Sequence, residues 1–295
     1  MANILYPPPR PQSVGEILDL ALRIFGATLV KCLPYSFAGV VLSHLTTMYD
    51  VSTGRPLVQT ALQAQPHNGV WWCLFLVAMV GTVALTNAVL LRQYALATGH
   101  TVSAAGELAT GLRRVPGVLA IGLLMGLAIL VSFIPLAVLA WRLLGINPAG
   151  ATAGFLWTLA GVYLLLLICA SWVVVRWICA GAVYLLTDRG PVESMSYSWR
   201  LTSGSFWRLS SIYGVGITLI VVLYAIASVL GGVVAMVLAH GDVAVITASW
   251  AVVVTLLGAF VTPLYSALIL AVFGDVSVRR EGVDLAQRIV APVPP

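Results

Sequence analysis

Long stretches of this chain contain no charged residue, and they alternate with short segments in which the charges collect. A helix of roughly 20 apolar residues crosses about 30 Å of hydrocarbon. Five stretches are long enough for such a helix: they lie between Arg55 and Arg92, Arg114 and Arg142, Arg142 and Arg176, Arg208 and Asp242, and Asp242 and Asp275. A weaker sixth lies between Lys31 and Asp50, where Pro34 and His44 interrupt the run. The pattern predicts six transmembrane helices.

Composition agrees with this pattern. The chain is 60% hydrophobic and 8% charged, and its mean hydropathy is +1.02, whereas charged residues make up about 25% of an average soluble domain. We therefore expect an all-α, polytopic membrane protein.

The positions of the cations predict the orientation. Short cytoplasmic loops carry an excess of Lys and Arg. If both termini are cytoplasmic, only Arg55 and Arg142 of the 15 Lys and Arg residues lie outside. The same rule accounts for the net charge of +5 without a nucleic-acid partner.

The N-terminus predicts a leader followed by a helix. Residues 1–12 are rich in proline, which favours an extended cytoplasmic segment. Ser13 and Glu16 have the spacing of a capping box, in which each side chain accepts a hydrogen bond from a free N–H at a helix start. We expect a helix to begin at Ser13.

An internal repeat is indicated by the four glutamates of the chain, which recur at intervals of about 88 residues and are each followed, seven residues later, by an arginine. The pairs are Glu16 and Arg23, Glu107 and Arg114, Glu193 and Arg200, and Glu281 and Arg288. We interpret residues 13–102, 103–189 and 190–275 as three copies of a hairpin of two spans, each preceded by an amphipathic interfacial helix. Residues 276–295 would be a partial fourth interfacial segment and a tail.

The predicted interfacial helices carry the candidate binding residues. In the first of them, Glu16, Asp19 and Arg23 share one helical face and apolar residues form the opposite one, as in helices that lie at a membrane surface. Candidate lipid-binding or interfacial residues are Arg23, Arg92, Arg113, Arg114, Arg176, Arg200, Arg208, Arg288, Trp199 and Trp207. Arg176 interrupts a long apolar stretch, and because it matches Arg92 in the repeat we interpret it as an interfacial anchor rather than an intramembrane site.

The repeated glutamates are candidates for pairing between repeats. Seven residues span about 10.5 Å along a helix, so each Glu is too far from its own Arg for direct contact. The arginines can instead meet anionic lipid phosphates or a glutamate of a neighbouring copy, namely Glu16, Glu107, Glu193 or Glu281. For Arg114 and Arg200 lipid is favoured, with Arg113 and Arg208 reinforcing them.

Three stretches resemble a known family. "SVGEILDLALRIF", "ESMSYSWRLTSGSFWRL" and "VSVRREGVDLAQRI" resemble the integral membrane domain associated with bacterial glycerophosphoryl diester phosphodiesterases and its stand-alone relatives. The resemblance implies a multi-pass protein of the bacterial plasma (inner) membrane. The phosphodiesterase of such enzymes is a separate soluble barrel, for which we expect no room before Pro295, and the chain lacks the His-Arg and Glu-x-Asp patterns of that catalytic domain.

Other catalytic chemistry is not indicated. The four histidines, His44, His67, His100 and His240, are scattered near predicted span ends, and the four cysteines form no metal-ligand or CxxC spacing. We find no nucleotide-binding loop, paired catalytic carboxylates or metal cluster. We expect no catalytic residue, no metal and no cofactor.

Two function classes remain. The favoured one is a non-enzymatic organiser or accessory protein, whose cytoplasmic-face interfacial helices bind anionic lipid head groups or a cytoplasmic or membrane protein partner. The alternative is a small-molecule or lipid transporter or channel, which the repeat and the prolines within spans support, since broken helices often form binding sites. The absence of Asp and Glu from the spans as placed here counts against a proton relay.

Overall fold

A computed structural model describes residues 5–54, 68–100, 102–144, 153–239 and 243–282. In these ranges the chain is helical and contains no β-strand. The helices are α1 (Val14–Ser43), α2 (Leu45–Ser52), α3 (Gly69–Ala97), α4 (Ala104–Arg113), α5 (Val115–Leu144), α6 (Ala153–Trp177), α7 (Ala180–Leu186), α8 (Pro191–Leu201), α9 (Phe206–Ala239) and α10 (Val243–Glu281). Six segments of the described chain, in α1, α3, α5, α6 with α7, α9 and α10, are long and apolar enough to cross a membrane. The prediction of an all-helical protein with six candidate spans is confirmed.

The chain divides into two compact units. Unit 1 is drawn from Met1–Val115 and Ser211–Pro295, and unit 2 is Pro116–Ser210. These limits differ from the predicted repeat boundaries at residues 13, 103 and 190, so the three-hairpin repeat stays a prediction.

Helix α1 begins as the sequence predicts. The Ser13 N–H donates to Glu16 Oε2 at 2.7 Å, and the Glu16 N–H donates to Ser13 Oγ at 3.4 Å, so both halves of the capping box are present. The helix then continues to Ser43 without a break. Between residues 5 and 43 of the described chain no break separates an interfacial helix from the first span, so the first predicted interfacial helix is not confirmed. Ile17 and Ile24 are buried in unit 1 while Asp19 is exposed, so the apolar face of this segment packs on protein.

Helices α4 and α8 are separate short helices that precede α5 and α9. In α4 the side facing α3 carries Glu107 and Gly111, which are buried, while Leu108 and Leu112 are exposed. This is the reverse of a soluble amphipathic helix, and it suits a setting in which the surroundings are apolar. The placement of α4 and α8 at a membrane surface remains a prediction.

Helices α1, α3 and α10 pack together in unit 1 around a buried polar seam. Pro263 lies inside α10 and has no N–H, so the carbonyl of Ala259 loses its helical donor. The Ser36 hydroxyl of α1 donates to that carbonyl, and Gln93 Nε2 of α3 donates to the Pro263 carbonyl at 2.8 Å. The sequence marks Pro263 as a possible break in its helix. In the structure, side chains of the neighbouring helices α1 and α3 donate hydrogen bonds to the carbonyls of Ala259 and Pro263.

The leader packs against unit 1 and is not a free extended segment over its described part. The N–H groups of Leu5 and Tyr6 both donate to the Ala97 carbonyl, at 2.9 and 3.1 Å. The Tyr6 ring is buried and meets the Tyr94 ring edge-on at 5.4 Å. A Cβ on Gly274 would lie 2.7 Å from the Tyr6 ring, so this glycine lets the leader approach α10.

The partial fourth interfacial segment and tail, residues 276–295, stay a prediction. At its start, Val276, Ser277 and Val278 are buried residues of α10, which continues without a break to Glu281. Arg288 and the tail lie outside the described residues.

Replacing Gly111 with alanine should destabilise unit 1. A Cβ at this position would lie 2.7 Å from the Ala84 carbonyl oxygen and 3.2 Å from the Ala88 nitrogen, and backbone atoms of α3 cannot move aside as a side chain can. The hydrogen bond from Asn87 Nδ2 to the Gly111 carbonyl, 3.1 Å, would be strained as well. We expect a loss of about 2 kcal/mol, as for overpacked cores, measured by thermal unfolding in detergent.

Gly122→Ala is the matched control, because a Cβ on Gly122 of α5 meets nothing within 4 Å. It should be neutral or slightly stabilising, since alanine favours helix over glycine by about 1 kcal/mol. Equal midpoints for the two variants would contradict the close packing of α4 on α3.

Candidate functional site: arginines held by tryptophans and by glutamate

In unit 2 the guanidinium of Arg176 lies against two indole rings, which also meet each other edge-on with their centroids 5.0 Å apart. Trp172 and Arg176 lie one turn apart on α6, and α8 supplies Trp199. The Arg176 Cζ atom lies 5.2 Å from the ring centroid of each tryptophan. We call these three residues the tryptophan clamp. The faces of indole rings attract a cation at this distance, so the clamp fixes the position of the charge.

Helix α8 is fastened to the end of α6 by two hydroxyl groups. Ser198 Oγ and Thr202 Oγ1 donate to the Arg176 carbonyl, at 2.9 and 3.1 Å. The last carbonyls of a helix have no helical donors, and these side chains supply them. The main chain of Arg176 and the Trp199 side chain are therefore held by the same helix contact.

The charge of Arg176 has no carboxylate partner among the described residues. Its Nε and Nη1 atoms are buried and make no hydrogen bond. A guanidinium carries five N–H donors, and the ring faces offset its charge without accepting those donors in full. Because Nε and Nη1 are enclosed by protein, an outside anion could approach the half-buried Arg176 side chain only at Nη2.

Two further arginines of unit 2 stack on Tyr197 of α8. The Arg189 Cζ atom lies 3.5 Å from the ring centroid, and the Arg200 Cζ atom lies 5.9 Å from it. Arg189 Nε also lies 3.8 Å from Glu193, whose side chain is 64% exposed. Arg200 is exposed and has no carboxylate partner in the part of unit 2 that the structure describes.

Beside the clamp lies an apolar groove of about 560 Å³, and both helices α5 and α8 contribute to it. Its walls are Leu124, Trp177, Val192, Met195, Ser196, Trp199 and Arg200. Only Ser196 and Arg200 bring polar side chains. We call this cavity the α8 groove.

Unit 1 holds its matching arginine differently. Arg92 Nη1 donates to Glu107 Oε1 and to the Val102 carbonyl, both at 3.1 Å. The side chains are 21% and 2% exposed. Glu107 Oε2 and Arg92 Nε are buried and make no hydrogen bond. This is a largely desolvated ion pair between the residues assigned to the first and second repeats.

A second buried carboxylate joins the leader to α10. Asp275 is fully buried; its Oδ1 accepts from the Gln12 N–H at 2.7 Å, and its Oδ2 accepts from Arg279 Nε at 3.1 Å. Arg279 Nη2 in turn donates to the Gln12 carbonyl at 2.7 Å. We call these three residues the leader latch. Sequence reasoning used Asp275 only as a span limit, although its spacing of four from Arg279 was a usable signal.

The other candidate residues are spread over each unit. In unit 1, two of them form ion pairs at the surface: Arg23 with Asp19 at 2.7 Å, and Glu16 with Arg10 at 2.6 Å. Arg113 is exposed, and Arg114 is half-buried at the end of α4. Glu281 is exposed at the end of α10. In unit 2, Arg208 is half-buried and Trp207 is 81% exposed. Of the predicted set, the structure brings together Arg92 with Glu107, and Arg176 with Trp199. Trp172 was missed, although its spacing of four from Arg176 was visible.

The helices and their apolar spans define the class: this is an integral, multi-pass membrane protein. Residues 155–281 match the family model described as the membrane domain of glycerophosphoryl diester phosphodiesterase. The resemblance noted in the sequence is confirmed over this range, which includes the tryptophan clamp, α8 and the leader-latch residues of α10. No curated protein and no solved structure matches the chain significantly.

Proposed function

We propose that this protein is a non-enzymatic organiser or accessory protein of the bacterial inner membrane that binds anionic phospholipid head groups at the tryptophan clamp and Arg200. The observation that carries the proposal is the Arg176 guanidinium, which two indole rings fix in place and no carboxylate of the described chain neutralises. With both termini cytoplasmic, the clamp would face the inner leaflet.

The chemistry of the clamp suits a lipid phosphate. Arginine forms charge-assisted hydrogen bonds to phosphate, and one basic side chain near an anionic leaflet contributes about 1 kcal/mol. Tryptophan and tyrosine are enriched at the head-group level of a membrane; Trp172 and Trp199 lie against Arg176, and Tyr197 lies near Arg200. Aromatic rings and unpaired cations thus occur together where a head group would lie.

Comparison with Arg92 supports this interpretation. Arg92 has the matching position in the predicted repeat, and its charge is neutralised by Glu107, which gives it a structural role. The corresponding glutamate in unit 2, Glu193, is exposed and lies beside Arg189. Arg176 is therefore left with its charge available to an outside anion. Arg113, Arg114 and Arg208 are secondary candidates, since their side chains lie at helix ends.

Neutralising the clamp should weaken retention of anionic lipid. We expect Arg176→Gln and Arg200→Gln each to lower retention of dioleoyl phosphatidylglycerol about fivefold, the factor that corresponds to about 1 kcal/mol. Retention of dioleoyl phosphatidylcholine should change less. Native mass spectrometry of the protein in detergent, with each lipid added in turn, measures both.

Arg23→Gln is the matched control, because Arg23 is an exposed arginine already paired with Asp19. Arg176→Lys keeps the charge but not the planar donor fork, and should fall between wild type and Arg176→Gln. Thermal unfolding should show all variants folded. Lipid retention that is the same in Arg176→Gln, Arg200→Gln and Arg23→Gln would exclude the role. Loss of a co-purifying soluble protein in its place would favour a protein partner.

A second candidate function is lipid or small-molecule transport. It is favoured by a recess of about 370 Å³ in unit 1 where Thr86, Thr262 and Ser266 lie next to Ile217 and Val261. The Thr86 and Thr262 hydroxyls donate to the Thr82 and Gly258 carbonyls of their own helices, and their oxygens remain able to accept from a polar ligand. Transbilayer movement of fluorescent phosphatidylglycerol in proteoliposomes that contain the wild-type chain would favour this function over the first.

A further inference from the structure

We propose that the α8 groove binds one acyl chain of the anionic phospholipid whose head group meets Arg176 and Arg200. The ligand is then a site-bound diacyl lipid, held by its tail as well as its phosphate, and not a head group attracted to a charged surface. This inference rests on the head-group function proposed above and names the ligand class of the same site.

The groove connects an apolar helix with a charged one. Leu124 belongs to the candidate span Val115–Pro135, of which only 11% is buried in the protein, and its side chain is 38% exposed. At the other wall, α8 carries the exposed Arg200. A ligand that fills the groove therefore meets hydrocarbon-facing surface at one wall and a cation at the other, which only an amphiphile satisfies.

The floor of the groove is rigid. Met195 is buried in a cluster with Ile121 and Ala180, against which Trp177 and Tyr184 pack. Close packing of this kind resists collapse, so the cavity is not filled by its own floor. The groove has a volume of about 560 Å³ and is open along the surface of unit 2.

Charge and shape coincide at Trp199. Its ring forms a wall of the groove and also one face of the tryptophan clamp. Arg200, the next residue, lines the groove as well. An acyl chain lying in the groove would therefore contact Arg200 directly, and only Trp199 would separate it from Arg176. A phospholipid requires such an arrangement, because its glycerol backbone joins the acyl chain closely to the phosphate. A soluble phosphate compound would leave the apolar walls exposed, and for this reason we assign a lipid.

Blocking the groove tests the inference. Ser196 is exposed and lines the groove, so Ser196→Trp should fill it without entering the core. We expect retention of dioleoyl phosphatidylglycerol in native mass spectrometry to fall about tenfold, the factor expected if about two methylene groups lose their site. Val192→Trp, at the exposed rim of the groove, should act in the same direction and serves if Ser196→Trp does not fold.

Ser171→Trp is the control, since Ser171 is an exposed serine of α6 whose hydroxyl donates only to the Ile168 carbonyl and which lies outside the groove. It should retain lipid as the wild type does. Retention in Ser196→Trp and Val192→Trp equal to that in Ser171→Trp, with a persisting effect of Arg176→Gln, would overturn the acyl-chain site and leave the head-group function standing. Equal loss of phosphatidylglycerol and phosphatidylcholine on blocking the groove, with no effect of Arg176→Gln, would overturn the head-group function.

Discussion

Replacing Glu107 with glutamine is expected to lower the free energy of unfolding by about 3 kcal/mol, because it leaves the charge of Arg92 without its partner. Arg92 is only 21% exposed and Glu107 only 2%, so water cannot take over the lost contact. Arg92 Nη1 would keep only neutral acceptors, namely the Val102 carbonyl and the glutamine amide oxygen. Equilibrium unfolding in mixed micelles with increasing sodium dodecyl sulfate measures the change.

Glu193→Gln is the matched control, since Glu193 has the same place in the predicted repeat. Its side chain is 64% exposed and 3.8 Å from Arg189, so we expect less than about 1 kcal/mol. Removing both charges together, as Glu107→Leu with Arg92→Met, should cost less than Glu107→Gln alone, because no buried charge is then left unpaired. If Glu107→Gln and Glu193→Gln lowered the free energy of unfolding equally, the two glutamates could not differ in burial as the structure shows.

Asp275→Asn should release the leader and also destabilise unit 1. The asparagine amide has no charge and only one acceptor oxygen, so it weakens the contacts that the carboxylate now accepts from the Gln12 N–H at 2.7 Å and from Arg279 Nε at 3.1 and 3.3 Å. Hydrogen bonds to charged groups contribute about 1.5–3 kcal/mol, and Asp275 is fully buried, so we expect a loss of about 2–3 kcal/mol. Hydrogen exchange detected by mass spectrometry should show lost protection at Leu5, Tyr6 and Gln12.

Asp19→Asn provides the control for this variant. Asp19 also pairs with an arginine four residues later, at 2.7 Å from Arg23, but its side chain is 58% exposed. The expected loss is about 0.5 kcal/mol or less, with unchanged protection of the leader. Full protection of the leader in Asp275→Asn would show that the packing of Tyr6 and the hydrogen bonds of Leu5 and Tyr6 to Ala97 hold it without Asp275.

The helical class and the six candidate spans followed from the sequence because both depend on local properties. A span requires only enough consecutive apolar residues, and the intervals between charges in the chain supply them. The start of α1 was predicted for the same reason, since Ser13 and Glu16 interact within one helical turn. The resemblance to the phosphodiesterase membrane domain likewise rested on short stretches that could be compared directly.

The partners of the charged groups were decided by the tertiary structure. The repeat pattern treats Arg92 and Arg176 as equivalent, yet Arg92 meets Glu107 while Arg176 meets Trp172 and Trp199. The spacing of two residues in the sequence determines how far apart they lie along one helix. It does not determine which face of the next helix packs against them. In α4 the glutamate faces α3, whereas in α8 Glu193 faces outward.

The leader shows the same limit over a longer distance. Proline content predicted an extended backbone, and it held no information about what that backbone would contact. Gln12 and Asp275 are 263 residues apart, and they meet because α1, α3 and α10 pack together and bring both ends of unit 1 to one place. Local patterns in the sequence determined where helices form and which of them are apolar. The packing of those helices decided which charges are buried, which are paired and which are left for a ligand. The reason is that burial depends on both of the surfaces that meet, and not on either segment alone.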